Sequence, residues 1–458
     1  MNSAAPLWRF AVPARLSSVS PRRESFVKSP IKAHPAFSPE LDCKPNLLSF
    51  VGAGLIIALC FTAAIPSHGQ TFTTLATFSA TNGASPYAGL VQGSNGNFYG
   101  TTSSGGKGSW GTVFEVTSSG SLTTLHNFSG GKDGGSSYAG LMQASNGNLY
   151  GTTTIGGSNC AHGYSCGTIF EANTAGDVFT IYSFCSQTNS EGVCVDGSIP
   201  YAPLVEAANK GFYGTTAVGG VNNYGTVFEV SSQGKLTSLY SFCSKPKCED
   251  GSNPYAGLLQ ASDHNLYGTT TTGGRNGNGT VFGISYAGKL KKIYDFCSQP
   301  NCADGAIPQG SLVQAANGNF YGVTNRGGTS TYCSVSYGCG TVFELTPQGA
   351  LTTLYNFCSQ PDCADGYAPA AGLTLGSDGN FYGTTIQAGA NVYGGTIFKL
   401  TPEGAETTLY NFEPTDGGDF GGLVQGADGA FYGATAYGGG GGNCSPGGCG
   451  TAFSFSQN

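Results

Sequence analysis

From residue 71 to its end the chain is a succession of short runs in which apolar and polar residues alternate, broken by stretches rich in Gly, Ser and Asn. One unit shows the grammar. YAGLLQ (255–260), LYGTTTT (266–272), GTVFGIS (279–285) and KLKKIYDF (289–296) each read as a strand. Their aromatic and branched residues recur with a period of two, and none of the runs reaches helical length. ASDHN and YAG read as the turns between them. Asn-Gly steps such as Asn317–Gly318 fit tight hairpin turns, where positive φ is needed.

The unit then repeats. YGTT or a close variant begins at Tyr99, Tyr150, Tyr213, Tyr267, Tyr321, Tyr382 and Tyr432, and GT[VIA]F begins at Gly111, Gly167, Gly225, Gly279, Gly340, Gly395 and Gly450. Spacings of 50 to 63 residues are too long for most helical solenoids and suit four short strands with their turns, one blade of a propeller. The fourth-strand pattern LTTLxNF occurs six times between residues 122 and 412, and its missing copy stands at the start as FTTLATF (72–78). The spacing therefore predicts an all-β, seven-bladed β-propeller with four-stranded blades, closed by the N-terminal strand completing the last blade, so that no blade is left open. The Gly of YGTT reads as a site of close backbone packing. The repeated Tyr of YGTT and Phe of GTVF read as core.

The recurring pattern GLVQGSNGNFYGTT…GTVFEVTSSGSLTTLHNF resembles the GloVer tandem repeats of bacterial choice-of-anchor proteins over nearly all of residues 71–458. That resemblance implies an extracellular β-propeller without an established activity. It also implies a C-terminal surface anchor, whereas Asn458 follows directly on a blade strand. Kelch and WD signatures are missing.

Residues 1–70 differ in kind. Seven Lys or Arg, from Arg9 to Lys44, precede the apolar run LLSFVGAGLIIALCFTAAIPSHGQ, which reads as an export signal cleaved near Ala64 or Gly69. A retained membrane anchor over 47–64 is the alternative, because those 18 residues carry no charge. Cys60 follows the bulky Leu59, which argues against lipoprotein processing. Removing this leader, with its seven bases and three acids, leaves 12 basic and 23 acidic residues, a net of −11 that excludes a basic nucleic-acid groove. Charged residues are only 10% of the chain while Tyr and Phe number 24 and 28, so stability must come from backbone pairing and aromatic packing.

Sixteen cysteines divide into Cys43 and Cys60 in the leader and seven short-range pairs: Cys160/Cys166, Cys185/Cys194, Cys243/Cys248, Cys297/Cys302, Cys333/Cys339, Cys358/Cys363 and Cys444/Cys449. An even count, always two to a loop, predicts local disulfides in an oxidising compartment that brace loops such as CSQPNCADG (297–305). The spacings lie outside those of zinc sites, and His126, His162 and His264 fall in blades that the repeat map keeps apart. Asp-Gly steps at Asp133, Asp196, Asp250, Asp304, Asp365 and Asp416 are the candidate loop-face residues. They make turns, and calcium is the one cofactor their oxygens leave open, although no D-x-[DN]-x-[DN]-G loop occurs. GYSCG (163–167) matches G-x-S-x-G without the strand-turn-helix setting of a nucleophile elbow.

If the AGLVQ strand is innermost, alternation of strand direction brings all seven cysteine pairs and nearly all length variation to a single face. Loops held by a rigid frame are where binding concentrates. The sequence accordingly points to a secreted or cell-surface module for carbohydrate or extracellular protein, with membrane contact only through a retained 47–64 segment. Acids that recur blade after blade suit structure or multivalent contact more than one catalytic centre, so the reading leans away from an enzyme. A polysaccharide-active hydrolase or lyase drawing two carboxylates from different blades, and a purely structural surface role, are its alternatives.

Overall fold

The computed structural model describes residues 69–458, apart from 161–165, 334–337, 388–393, 414, 441–443, 445–446 and 458. Each of the first six blades is an antiparallel sheet whose strands follow one another outward in chain order; the first contains Val91–Gln92, Phe98–Thr102, Thr112–Val116 and Leu122–Asn127. Six such sheets have four strands. The seventh carries Thr451–Gln457 next to Gln70–Thr77, paired from Gln70↔Gln457 to Thr77↔Thr451. The ring is a seven-bladed propeller, and its first strand completes its last blade.

The innermost strands are shorter than the sequence pattern predicts. Only two residues pair, Leu259–Gln260 in the fourth blade, where the pattern predicts six. Convergence explains the loss, since near the axis the seven inner segments meet each other. A Cβ added at Gly89 would stand 2.8 Å from the Gly422 carbonyl oxygen, and one at Gly310 would stand 2.8 Å from Ala371. Small residues are thus required there, and the Tyr-Ala-Gly stretch leaves the sheet to form the inner rim. The Asn-Gly turns also differ from a two-residue hairpin: positive φ falls on Gly318 alone and not on Asn317, with Ala315 and Asn319 closing a wider turn. Lys210 and His264 take the same left-handed position in the third and fourth blades.

Three repeated devices hold strands together within blades and blades to one another. Buried threonines pair between the second and third strands of every blade, as Thr102 with Thr112 and Thr435 with Thr451, which explains the Thr in YGTT and in GTVF. The YGTT glycine lies under the Phe of the third strand, so that a Cβ on Gly214 would meet the Phe228 ring at 2.6 Å. Between blades, Gln and Glu side chains at the end of the inner strand accept the backbone N–H of the preceding blade's turn: Gln143 from Ser94, Glu206 from Ser145, and Gln92 from Ala427 across the seam.

Candidate functional site

All seven expected cysteine pairs are disulfide-bonded: Cys160–Cys166, Cys185–Cys194, Cys243–Cys248, Cys297–Cys302, Cys333–Cys339, Cys358–Cys363 and Cys444–Cys449. Seven such bonds suit an oxidising environment. Cys43, Cys60, the 47–64 segment and His162 lie outside the described residues. So do Gly163, Tyr164 and Ser165 of the G-x-S-x-G match, whose Cys166 is bonded to Cys160. Among the described residues no helix is long and apolar enough to cross a membrane.

Three of the cysteine loops share one local geometry. Each contains one short 3-10 turn, Pro246–Cys248, Pro300–Cys302 and Pro361–Cys363, and in each the second cysteine closes it. Proline sets the first φ of the turn, and two left-handed residues then reverse the chain, Asn301 with Cys302 and Asp362 with Cys363. Cys363 is fully buried, and Cys302 is half-buried. Their carbonyls accept the N–H groups of Gly305 and Gly366, which tie these cysteines to the Asp-Gly steps.

The Asp-Gly carboxylates turn inward as well. Asp196, Asp250, Asp304 and Asp365 are at most 2% exposed. Asp250 accepts the Tyr240 hydroxyl at 2.7 Å, the Ser244 hydroxyl and backbone N–H, and the Lys245 N–H. Asp196, Asp304 and Asp365 repeat this set with Tyr182, Tyr294 and Tyr355. Asp133 accepts from His126 and Ser129, and Asp416 from Tyr410 and Glu413. Their oxygens are engaged in tying each fourth strand to the loop that follows it. Burial, opposed by Ser244 and reinforced by Asp250, pushes the Tyr240 hydroxyl up to about 12. Among the described residues, the groups with three or more clustered metal donors are Cys166/Cys185/Cys194 and Cys333/Cys339/Cys358, all of them disulfide sulfurs.

A different set of residues gathers at the inner rim of the loop face. Tyr87, Tyr138, Tyr201 and Tyr255 stand at equivalent positions in four consecutive blades, each directly before the small residues that meet at the axis. Their ring centroids are 5.3, 5.5 and 5.0 Å apart in turn. Tyr437, at the tip of the seventh blade's second long strand, continues the row: its hydroxyl lies 2.8 Å from that of Tyr87. In the fifth and sixth blades the position passes to Gln309 and Ala370, so the tyrosines form an arc and not a full circle.

The arc is held from behind. In each of six blades the residue two before this position has a left-handed backbone: Ser85, Ser136, Ile199, Asn253, Ile307 and Ala368, with φ between 50° and 57°. Such a conformation is costly for the branched Ile199 and Ile307. Two backbone hydrogen bonds fix it. The Ile199 N–H donates to Cys166 in the preceding blade, and its carbonyl accepts the Ala217 N–H of its own blade. Across the seam the Ser85 N–H donates to Cys449 in the same way. Threonine hydroxyls add a third tie, from Thr101 to the Ala139 carbonyl, Thr152 to Pro200 and Ala202, and Thr215 to Ala256. These bonds hold the backbone beside Tyr138, Tyr201 and Tyr255.

The arc offers aromatic surface and hydroxyls without charge. Tyr138 and Tyr437 are 37% and 44% exposed, and Trp110 and Tyr224 extend the aromatic surface outward at 43% and 42%. The Trp110 carbonyl accepts the Ser136 N–H, two residues from Tyr138, and the Tyr224 carbonyl accepts the Asn253 N–H, two residues from Tyr255. Burial raises the hydroxyls of Tyr138 and Tyr255, and burial together with its tyrosine neighbours pushes Tyr201 up to about 12. All three stay neutral at physiological pH. The hydroxyls of Tyr201 and Tyr255 have no hydrogen-bond partner among the described residues. Sequence reasoning missed this arc because YAGL reads as strand. The available signal was a Tyr before Ala-Gly or Ala-Pro in four blades and its replacement in the others.

Fold and rim together define a disulfide-braced, seven-bladed propeller with an aromatic arc on its loop face. The Gloeobacter/Verrucomicrobia repeat model matches residues 61–245, 189–359 and 330–458, and the chain belongs to that family. No curated protein sequence matches it. Among solved structures, it is similar to an oxidoreductase from Thermus thermophilus provisionally assigned as a glucose dehydrogenase, at 13% identity and a TM-score of 0.41 over 85% of this chain and 100% of that one. It is similar also to the PQQ-bound aldose sugar dehydrogenase of Streptomyces coelicolor, at 13% identity and a TM-score of 0.36 over 85% and 99%. A luciferin-regenerating enzyme matches at 13% identity and 0.41 over 68% and 87%. The leaning away from an enzyme is corrected by these matches, which are to enzymes, and the chain is not called non-catalytic. At such identities and scores they assign it no reaction.

Proposed function

We propose that this propeller, exported to the cell surface or beyond, recognises carbohydrate at its tyrosine arc. The observation that carries the reading is the row Tyr437–Tyr87–Tyr138–Tyr201–Tyr255, aromatic and neutral on a rigid rim. Sugars present C–H faces that pack on aromatic rings and hydroxyls that both donate and accept, and a few tyrosines meet both needs at little conformational cost. Repeated burial of the Asp-Gly carboxylates supports placing the ligand at the rim and not on the outer loops. The reading takes in a polysaccharide-active enzyme, for which the same arc would hold the substrate. The test is binding of the full chain, disulfides intact, to an array of bacterial and plant polysaccharides, with products assayed on every glycan retained. Selective retention that Tyr138→Ala and Tyr201→Ala abolish is the expected result. Retention unchanged by both substitutions, or no retention at all, would overturn it.

A further inference from the structure

We infer that the arc is a row of subsites for an extended, curved, neutral glucan, and not a pocket for one sugar. This rests on the carbohydrate reading above and narrows it. Five rings follow one another with centroid steps of 6.2, 5.3, 5.5 and 5.0 Å from Tyr437 to Tyr255. Each step is close to the length of one hexose unit, so a monosaccharide would touch one or two rings and leave the rest idle. The rings do not share a plane. Successive planes turn by 90°, 34°, 57° and 36° as the row bends round the axis. A flat, ribbon-like chain could stack on one or two of them before leaving the surface, whereas a chain that curves as it grows can follow them all.

A second observation marks one end of the row. Thr101, Thr152 and Thr215 each donate to a carbonyl beside the rim residue of the next blade. Thr269 is the same residue of the fourth blade, 1% exposed, and its hydroxyl has no partner. Its next-blade counterpart is the Gln309–Gly310 step, where the tyrosines stop. A buried hydroxyl without a partner is costly, and a ligand or water hydroxyl reaching this seam would satisfy it. The row therefore ends in polar capacity, from Thr269 and the Gln309 amide, at the place where a sugar chain passing Tyr255 would arrive. Charge points the same way, because burial and the tyrosines themselves account for the shifts at Tyr201 and Tyr255, with no ionic group contributing.

Calorimetric titration of the full chain with malto-oligosaccharides and cello-oligosaccharides of one to seven units tests the inference. Affinity for the curved malto series should rise at least tenfold between two and five units and then level off, while the flat cello series stays weak. Tyr201→Ala and Tyr255→Ala should each lower pentamer affinity about tenfold and leave the dimer less affected. Tyr201→Phe, which keeps the packing, should lose a smaller factor and controls for folding. Equal affinity for dimer and pentamer, preference for the cello series, or no binding of either series would overturn the inference. A glycan retained on the array through the tyrosines, in any of those cases, would leave the carbohydrate reading standing.

Discussion

Phe78 and Phe114 meet edge to face with centroids 4.8 Å apart, Phe78 directly after the chain's first strand and Phe114 in the third strand of the first blade. Six further pairs make the same contact between successive blades, from Phe128–Phe170 to Phe412–Phe453. The seventh pair is therefore the seam: Phe78 belongs to the last blade and Phe114 to the first. Phe78 is 1% exposed, and its N–H donates to the Gly450 carbonyl. Phe78→Ala should cost about 3–5 kcal/mol, the range for truncating a buried Phe. Denaturant unfolding checks this, and a loss below about 1 kcal/mol would show that the ring does not depend on its seam.

Much of this architecture is legible in the sequence because it is repeated. A residue type that returns seven times, as Tyr99 and its counterparts do, declares a position in the blade, and the displaced FTTLATF declares the closure. What repetition hides is exchange between neighbours. The YGTT tyrosine bonds a carboxylate in every blade, yet in the first that carboxylate is Glu115 on the third strand and in the fourth it is Asp263 on the turn. Gly283 stands in the fourth blade where Glu115 stands in the first. Read singly, these acids look variable, and only the fold shows one partner moved by a turn. The Asp-Gly acids mislead in the opposite sense, since their regular recurrence on loops looks like presentation when five of the six accept from the Tyr of the preceding strand and Asp133 from His126. The tyrosine arc is visible only when four strand starts are brought round one axis.

Acid should loosen the Asp250 brace. Burial alone would raise this carboxyl, but the Tyr240 and Ser244 hydroxyls and the N–H groups of Ser244 and Lys245 outweigh it and hold the group below its ordinary value. A folded-state value below the unfolded one gives stability that is present above the ordinary carboxylate range and lost as pH falls through it toward the folded value. Asp250→Asn should therefore cost about 1–3 kcal/mol at pH 7, by leaving buried donors poorly matched. The gap between variant and parent should narrow below about pH 4. A gap that is constant from about pH 7 to about pH 2.5 would show that ionisation of Asp250 does not contribute.

Each disulfide closes a small loop, so its effect should be local. Cys243→Ser with Cys248→Ser opens a bond between residues five apart in sequence. The chain-entropy relation gives about 2 kcal/mol for a loop of this size. Because Phe242 remains buried on Phe282 and Asp250 still ties Tyr240 to the loop, far-ultraviolet circular dichroism should be unchanged while protease susceptibility rises within residues 243–251. Global unfolding of the double variant at room temperature would assign the bond a role in the ring itself.

The blade-to-blade Gln bonds are missing at one junction among the described residues. Gln260, Gln314 and Gln425 accept N–H groups from Ala208, Ser262 and Ser377 in their preceding blades. In the sixth blade the corresponding residue is Leu375, 36% exposed at the end of a two-residue inner strand, opposite the turn that holds Ala316. An apolar side chain there gains little burial and gives up a hydrogen bond that the other junctions make. Leu375→Gln should raise stability by about 0.5–1 kcal/mol, the usual net value of such a bond, and Gln143→Leu should lower it by a similar amount. Both shifts should move the denaturation midpoint without changing the slope, since neither alters the surface exposed on unfolding. If Gln143→Leu is neutral, the repeated Gln does not contribute to holding the blades together. If Gln143→Leu is costly and Leu375→Gln brings no gain, the turn at Ala316 lies out of reach, and the junction between the fifth and sixth blades is held by Tyr321 on Phe381 and Phe357 on Phe398 instead.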